Sequence, residues 1–211
     1  FDLGVSSYQF DRPERGFSFS KDNRLDMRMD LSQILDAQFV INHYSEDELW
    51  QIFSQFGEER FSKSIARLIV RERKKQSIKT TIELTQIIKR VYARLKKNKW
   101  RIHPATRVFQ ALRIEVNSEL KKLQKSLKQS IKLLEHNGRI CIISYHSLED
   151  RIVKQTFKRF AHKESIKEKG WGLDIMTKKP LRPTQIELME NNRARSAKMR
   201  VAKKIMLEEV A

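Results

Sequence analysis

Two short segments gather polar side chains directly after apolar ones. The first is Asp2-Leu3-Gly4-Val5-Ser6-Ser7. The second, Ile143-Ser144-Tyr145-His146-Ser147-Leu148-Glu149-Asp150-Arg151, follows the apolar run Ile140-Cys141-Ile142-Ile143. In open α/β sheets ligands sit outside the carboxyl ends of the strands. Polar residues at two such ends therefore fit a site better than a core. His146 could accept a proton near neutral pH, and a structural role, bonding the neighbouring loop, is the alternative.

The elements that must position these segments can be read from periodicity. Residues 1–30 read as a strand end followed by a long shaped loop, with Gly4, Pro13 and Gly16 marking irregular backbone. Residues 31–100 read as helical, in three short amphipathic helices. Ser45 with Glu48 and Thr80 with Glu83 form capping-box patterns. Phe61, Ile65, Leu68 and Ile69 mark one apolar helix face, and Leu84, Ile87, Ile88, Val91 and Leu95 another. Pro104 opens a long helix that runs to about Leu134 and ends at His136-Asn137-Gly138. His103 reads as its N-terminal cap. Residues 139–144 read as a parallel strand buried on both faces, and Ser147 with Asp150 as the cap of the next helix. Helix, strand, helix is the rhythm of a doubly wound α/β sheet. Two short strands, at 176–179 and 198–202, would close its edge, and the glycine-containing, charged segment 161–172 reads as a mobile linker.

Forty-four basic residues against 26 acidic ones give a net charge of +18, which favours a polyanionic partner because neutralised phosphates release counterions. No apolar run approaches the ~20 residues that span a bilayer, so no membrane partner is expected. The single cysteine, Cys141, lies in the apolar run and reads as buried. One thiol excludes an intramolecular disulfide and fits a reducing, cytoplasmic setting; with five scattered histidines it suggests no metal site.

The wording of several blocks goes further. Asp-Leu-Gly-Val-Ser-Ser at 2–7, Glu-Arg-Gly-Phe-Ser-Phe at 14–19 and Leu-Asp-Met-Arg-Met-Asp at 25–30 come first. Gly-Glu-Glu-Arg at 57–60, His-Pro-Ala-Thr-Arg at 103–107, Phe-Gln-Ala-Leu-Arg-Ile at 109–114 and Val-Asn-Ser-Glu-Leu at 116–120 follow. His-Ser-Leu-Glu-Asp-Arg-Ile-Val-Lys at 146–154 and Arg-Ala-Arg-Ser-Ala-Lys at 193–198 complete the series. Together, from residue 2 to about residue 204, they resemble the RsmH (formerly MraW) family of 16S rRNA (cytosine-N4)-methyltransferases.

The resemblance implies a class I, Rossmann-like methyltransferase fold. Residues 1–30 and 103–211 would form the core and residues 31–102 an all-helical substrate-recognition insert. It implies S-adenosylmethionine as donor and a cytidine in the decoding centre of small-subunit rRNA as acceptor, in naked rRNA or in the assembled subunit. Two cofactor contacts carry over, Asp2 and Gln9. A turn or N-cap role for Asp2 is the structural alternative. The family's glycine-rich cofactor loop and acidic ribose-binding residue lie upstream of Asp2, and the six glycines here form no such loop. The chain therefore reads as a fragment lacking that segment, expected to bind the donor weakly and to be inactive alone.

The exocyclic amine of cytosine is a poor nucleophile, because its lone pair is conjugated with the ring. Methyl transfer needs it held in line with the sulfonium, with an acceptor for its proton. The carbonyls and hydroxyls from Gly4 to Ser7, especially Ser6 and Ser7, are candidate acceptors, and His146 is the other. Phe17, Phe19 and Tyr145 could hold an unstacked base or fill a small core. Arg15, Arg107, Arg113, Arg193 and Arg195 are the candidate phosphate contacts, with structural salt bridges as their alternative. A basic ribosome-assembly factor without catalysis and a DNA amino-methyltransferase are the competing functions.

Overall fold

The computed structural model describes residues 1–94 and 102–206. Leu95, assigned above to a helix face, lies outside them. The architecture is mixed α/β and divides into two compact units, Val5–Glu119 and Phe1–Gly4 with Leu120–Ala211. These boundaries differ from the 31–102 limits that the resemblance implies for an insert.

The first unit is helical. Helix α1 (Ser7–Asp11) and a 3-10 turn (Pro13–Arg15) occupy a stretch that the sequence reads as loop. Five-residue helices carry too little periodicity to be seen. Four helices, not three, follow in the next stretch: α2 (Ala37–His43), α3 (Glu46–Gln55), α4 (Ser62–Arg73) and α5 (Thr81–Arg94). Helix α2 has only two turns, and the side chain of Asp36 caps it. Both expected capping boxes form. Ser45 and Glu48 bond reciprocally, and Glu83 N–H donates to Thr80 Oγ1 at 3.3 Å while Thr80 N–H donates to Glu83 Oε2 at 3.0 Å.

Helix α6 (Ala105–Asn117) begins after Pro104, which occupies the N-cap position without a side-chain cap bond; His103, one residue before it, accepts from the Ala105 amide at Nδ1 (3.2 Å). The long helix predicted from Pro104 to Leu134 is two helices. Ser118 adopts a left-handed conformation (φ 51°) and ends α6. Hydrophobic spacing continues across the break, which is why periodicity alone does not find it. Leu25, Phe53, Ile65, Ile69, Leu84, Ile88 and Leu112 pack into one core.

Within this unit the Leu25–Asp30 block is fixed by polar bonds. Asp26 accepts from Arg28 Nε and the second guanidinium nitrogen, each at 2.8 Å, and Arg28 also donates to the carbonyls of Leu31 and Gln33. Buried Asn117 accepts from Met29 N–H (2.7 Å) and donates to the Met27 carbonyl (2.8 Å), tying the block to α6. Gly16, at φ 71°, lies against this loop. A Cβ there would run into the Arg24 carbonyl oxygen, so the position needs glycine both for its conformation and for space.

The second unit holds α7 (Glu119–Leu133) from Leu120 onward, β1 (Arg139–Ser144), α8 (Ser147–Phe160), α9 (Lys163–Lys169), β2 (Trp171–Ile175), α10 (Gln185–Glu190), a 3-10 turn (Asn192–Ser196) and β3 (Lys198–Met206). The sheet order is β1-β3-β2, with both pairs antiparallel. Among the described residues only Asp2 bridges β1 in parallel, beside Ile143, where Leu3 N–H donates to the Ile143 carbonyl at 3.0 Å.

Several expectations are corrected here. Strand β1 is not buried on both faces: Ile140, Ile142 and Ser144 point inward, whereas Cys141 is exposed. An unbroken apolar run does not say how many faces are covered. In this unit Leu127, Ile131, Val153 and Phe157 join Ile140 and Ile142 in a single cluster. The segment 161–172 is not a linker but α9 and the start of β2, with Gly170 closing α9 in the left-handed conformation. The strand expected at 176–179 lies earlier, at Trp171–Ile175. The cap of α8 is shifted by one residue, from Ser147 and Asp150 to His146 and Glu149.

Candidate functional site

The carboxyl end of β1 turns sharply into α8, and the turn is built around one carboxylate. Glu149, itself buried, accepts the Tyr145 amide at 2.9 Å and the His146 amide at 3.3 Å through Oε2. Negative charge inside the first helical turn is favoured by the unpaired amides and the helix dipole. His146 answers as N-cap, with Nδ1 accepting the Glu149 amide at 3.4 Å. Nδ1 must then be unprotonated, which places the ring proton on Nε2. That nitrogen lies 3.3 Å from Glu149 Oε1, close but without hydrogen-bond alignment, and the side chain is 9% exposed. Both ring nitrogens of His146 therefore face the turn of its own helix.

Tyr145 points the other way. Its hydroxyl donates to Asp2 Oδ1 at 2.9 Å, and its ring lies 3.7 Å from where a Cβ on Gly4 would stand. Burial, then the hydrogen bond and charge of Asp2, push the Tyr145 phenol up to about 12. The phenol is thus a proton donor to Asp2 throughout the neutral range. The other Asp2 oxygen, Oδ2, has no partner among the described residues, and the residue is exposed. An amino or hydroxyl group of a ligand can be received there.

A second pair braces the turn from behind. Arg200, on β3, grips Asp150 in a two-pronged contact, Nε to Oδ1 at 2.7 Å and the second nitrogen to Oδ2 at 3.1 Å, with the arginine side chain 8% exposed. Burial pushes the Asp150 carboxyl up. The Arg200 hydrogen bonds and charge, with Lys198 and Lys154, outweigh it and hold the group below its ordinary value.

Ser6 and Gln9, read above as a proton acceptor and a cofactor contact, bond to each other. Ser6 Oγ accepts the Gln9 amide and Gln9 Oε1 accepts the Ser6 amide, each at 3.2 Å, a capping box for α1. The Gln9 side-chain nitrogen keeps its donors free among the described residues. Ser7 is exposed at the first position of α1, and no hydrogen bond from the described residues holds its hydroxyl.

The arginines divide. Arg15 donates to the carbonyls of Arg28 and Met29 at 2.7 and 3.1 Å, and Arg113 forms a two-pronged pair with Glu119 at 2.8 and 3.0 Å. Both are committed internally and poorly placed for phosphate. Arg107 donates to the Glu58 carbonyl at 2.9 Å. Arg193 and Arg195 are exposed in the 3-10 turn before β3. Phe17 is buried in the helical unit. Phe19 stacks on His103 at 4.5 Å and meets Phe109 edge-on at 5.1 Å, so both serve packing.

Sequence reasoning missed Tyr145 as the partner of Asp2, because no spacing rule links residues 143 positions apart. It also missed Arg200. A signal existed there, since strand alternation puts Arg200 on the same face as the core residue Ala202, and an inward arginine demands a carboxylate.

Comparison with known proteins adds the decisive observation: residues 1–205 match the MraW methylase family. The chain belongs to that family. It is 49% identical to the ribosomal RNA small subunit methyltransferase H of Halothermothrix orenii, over 98% of this chain and 68% of the relative. Proteins of the same name from Caldicellulosiruptor saccharolyticus and Sulfurihydrogenibium azorense are 49% and 50% identical, each over 97% of the chain and over 68% and 67% of their own lengths. This MraW-family chain thus spans about two thirds of the length of those relatives. No helix among its described residues is long and apolar enough to cross a membrane.

Proposed function

We propose that the chain is part of an S-adenosylmethionine-dependent methyltransferase that modifies the N4 amine of a cytidine in the decoding centre of small-subunit rRNA. Its place of action is the cytoplasm. The observation that carries this reading is the near-50% identity to small-subunit rRNA methyltransferases along almost the whole chain. The net charge of +18 suits a polyanionic substrate. Residues 1–30 and 103–211 are assigned to a Rossmann-like core and residues 31–102 to a substrate-recognition insert.

The donor supplies an activated methyl group on its sulfonium. The chain's own residues bind and orient. Asp2, with Oδ2 open and Oδ1 held by Tyr145, receives an amino or hydroxyl hydrogen, and the free nitrogen of Gln9 donates to a carboxylate. As the cytosine nitrogen gains the methyl group, one of its protons must leave. Ser7, whose hydroxyl has no partner among the described residues, is the acceptor we favour. Ser6 caps α1, and His146 gives Nδ1 to the cap of α8, while its buried Nε2 has no hydrogen-bond partner among the described residues.

The test is transfer of labelled methyl from S-adenosylmethionine to naked small-subunit rRNA, assembled small subunits and duplex DNA, by a protein that carries this chain within the length of its relatives. N4-methylcytidine in digested rRNA supports the reading. Transfer mainly to duplex DNA, or at a base other than cytosine, overturns it.

A further inference from the structure

A cleft of about 750 Å³ opens beside the edge strand β2, where the end of α8 and the start of α9 meet the sheet. Its floor is apolar, with Leu173, Ile175 and Ile205. Four lysines line it, Lys158, Lys163, Lys178 and Lys203, against one acid, Asp174. None of the four ammonium groups has an ion-pair or hydrogen-bond partner among the described residues. Some exposed cations elsewhere find partners, Lys75 and Arg90 at Glu72 and Arg67 at Glu46, whereas Lys121, Lys122, Lys125 and Lys128 on α7 have none among the described residues; what sets the cleft lysines apart is that they surround one opening. Four unpaired like charges around one opening repel each other and lower their energy when a polyanion neutralises them.

The cleft is remote from the Tyr145 turn. Lys203 pairs in register with Arg139, at the opposite end of β1 from Ser144, a separation of roughly 17 Å at ~3.3 Å per residue. Lys158 lies along α8 at a similar distance from Ser147, about 16 Å at ~1.5 Å per residue. Neither Lys203 nor Lys158 can touch a base undergoing chemistry at the turn.

We infer that this cleft is a docking site for the sugar-phosphate backbone of a single RNA strand, contacting the substrate up to roughly 17 Å from the modified base. Lysine suits phosphate as a mobile point charge, and the apolar floor accepts the faces of sugars and bases. The inference rests on the proposed rRNA substrate, and it assigns the cleft to holding that RNA rather than to transfer.

The chain is titrated with a single-stranded small-subunit rRNA fragment between about 50 and 200 mM salt. One variant carries Lys158→Gln, Lys163→Gln, Lys178→Gln and Lys203→Gln. A control carries Lys121→Gln, Lys122→Gln, Lys125→Gln and Lys128→Gln on the exposed face of α7, removing the same charge. Each lost phosphate contact lowers the slope of log affinity against log salt by about 0.7, so the cleft variant loses roughly 3 from the slope and the control less than 1. Circular dichroism verifies that both are folded, and the pair Lys158→Gln with Lys178→Gln, losing about half as much, serves if the fourfold variant is not. Equal losses in cleft variant and control overturn the cleft while leaving the rRNA substrate standing. Tighter binding of polyglutamate than of RNA assigns the cleft to an acidic protein segment instead. A wild-type chain that binds no RNA overturns the cleft, and methyl transfer by the protein at the full length of its relatives decides the rRNA reading separately.

Discussion

The hydroxyl of Tyr145 and the carboxylate of Asp2 meet at 2.9 Å, joining the end of β1 to the segment that runs beside it. The contact leaves one Asp2 oxygen open and fixes the direction in which it points. If Asp2 receives the methyl donor, Tyr145 is a positioning residue. Tyr145→Phe then keeps the ring against Gly4 and removes only the bond. One hydrogen bond at an exposed site is worth about 1 kcal/mol, so donor affinity should fall roughly fivefold in titration calorimetry. Because the phenol is raised from 10.0 to about 12, the bond is fully present below pH 10 and is lost only as pH climbs towards 12. Donor binding by the wild type should therefore show no loss between pH 7 and 9 from this group. Unchanged affinity in Tyr145→Phe would mean that Asp2 is oriented by its backbone alone.

The Arg200–Asp150 pair should dominate the acid sensitivity of the sheet unit. The Asp150 carboxyl is held below its ordinary value of 3.8. Its stabilisation is present above that value and is lost as pH falls through the depressed one. Arg200→Ala would leave Asp150 partly buried and unpaired, at a cost of about 3 kcal/mol. A thermal midpoint lowered by several degrees at pH 7, with the deficit shrinking towards pH 3, is the expected outcome. A constant deficit across that range would assign the loss to packing.

Asn117 is expected to matter more than its size suggests. Its side chain closes the Leu25–Asp30 block through Met27 and Met29 and also donates to the Arg113 carbonyl at 2.9 Å. Asn117→Ala strands a buried amide and a buried carbonyl, each worth about 1–3 kcal/mol. Asn117→Asp keeps the acceptor for Met29 but loses both donors. Chemical denaturation should rank wild type above Asp and Asp at or above Ala. An Ala variant within about 0.5 kcal/mol of wild type would show that the block is held by the Asp26–Arg28 fork alone.

How much of this was legible in the sequence follows the range of the forces involved. The capping boxes at Ser45 and Thr80 and the helix start after Pro104 are set by neighbours three or four residues away, and they were read correctly. The break at Ser118, the one-residue shift of the α8 cap and the exposure of Cys141 were not. Ser118 sits between helices whose apolar spacing runs on without a gap. His146 outcompetes Ser147 as cap only because Glu149 can turn back to two amides at once. Cys141 is outward because the helices of its unit cover one face of β1, which is a property of packing. At the candidate site, the blocks around Asp2 and His146 stood out by wording; the Tyr145–Asp2 contact spans 143 positions and surfaced only in three dimensions, whereas the inward Arg200 was legible from strand alternation but its partner Asp150 was not.

Gln9 separates a structural role from a binding one, because its two side-chain atoms do different work. Oε1 accepts the Ser6 amide and completes the cap of α1, whereas the nitrogen is uncommitted. Gln9→Glu preserves an acceptor for Ser6 and replaces the nitrogen with a second anionic oxygen. Gln9→Ala removes both. Capping can be followed separately through exchange of the Phe10 amide, which donates to the Ser6 carbonyl at 3.0 Å. If the nitrogen meets the donor's carboxylate, Gln9→Glu weakens donor binding about tenfold or more through charge repulsion while Phe10 stays protected. Gln9→Ala weakens binding less but speeds exchange, since losing a cap partner costs about 1 kcal/mol. Wild-type donor affinity in Gln9→Glu would confine Gln9 to the cap and leave Asp2 as the sole donor contact proposed within this chain.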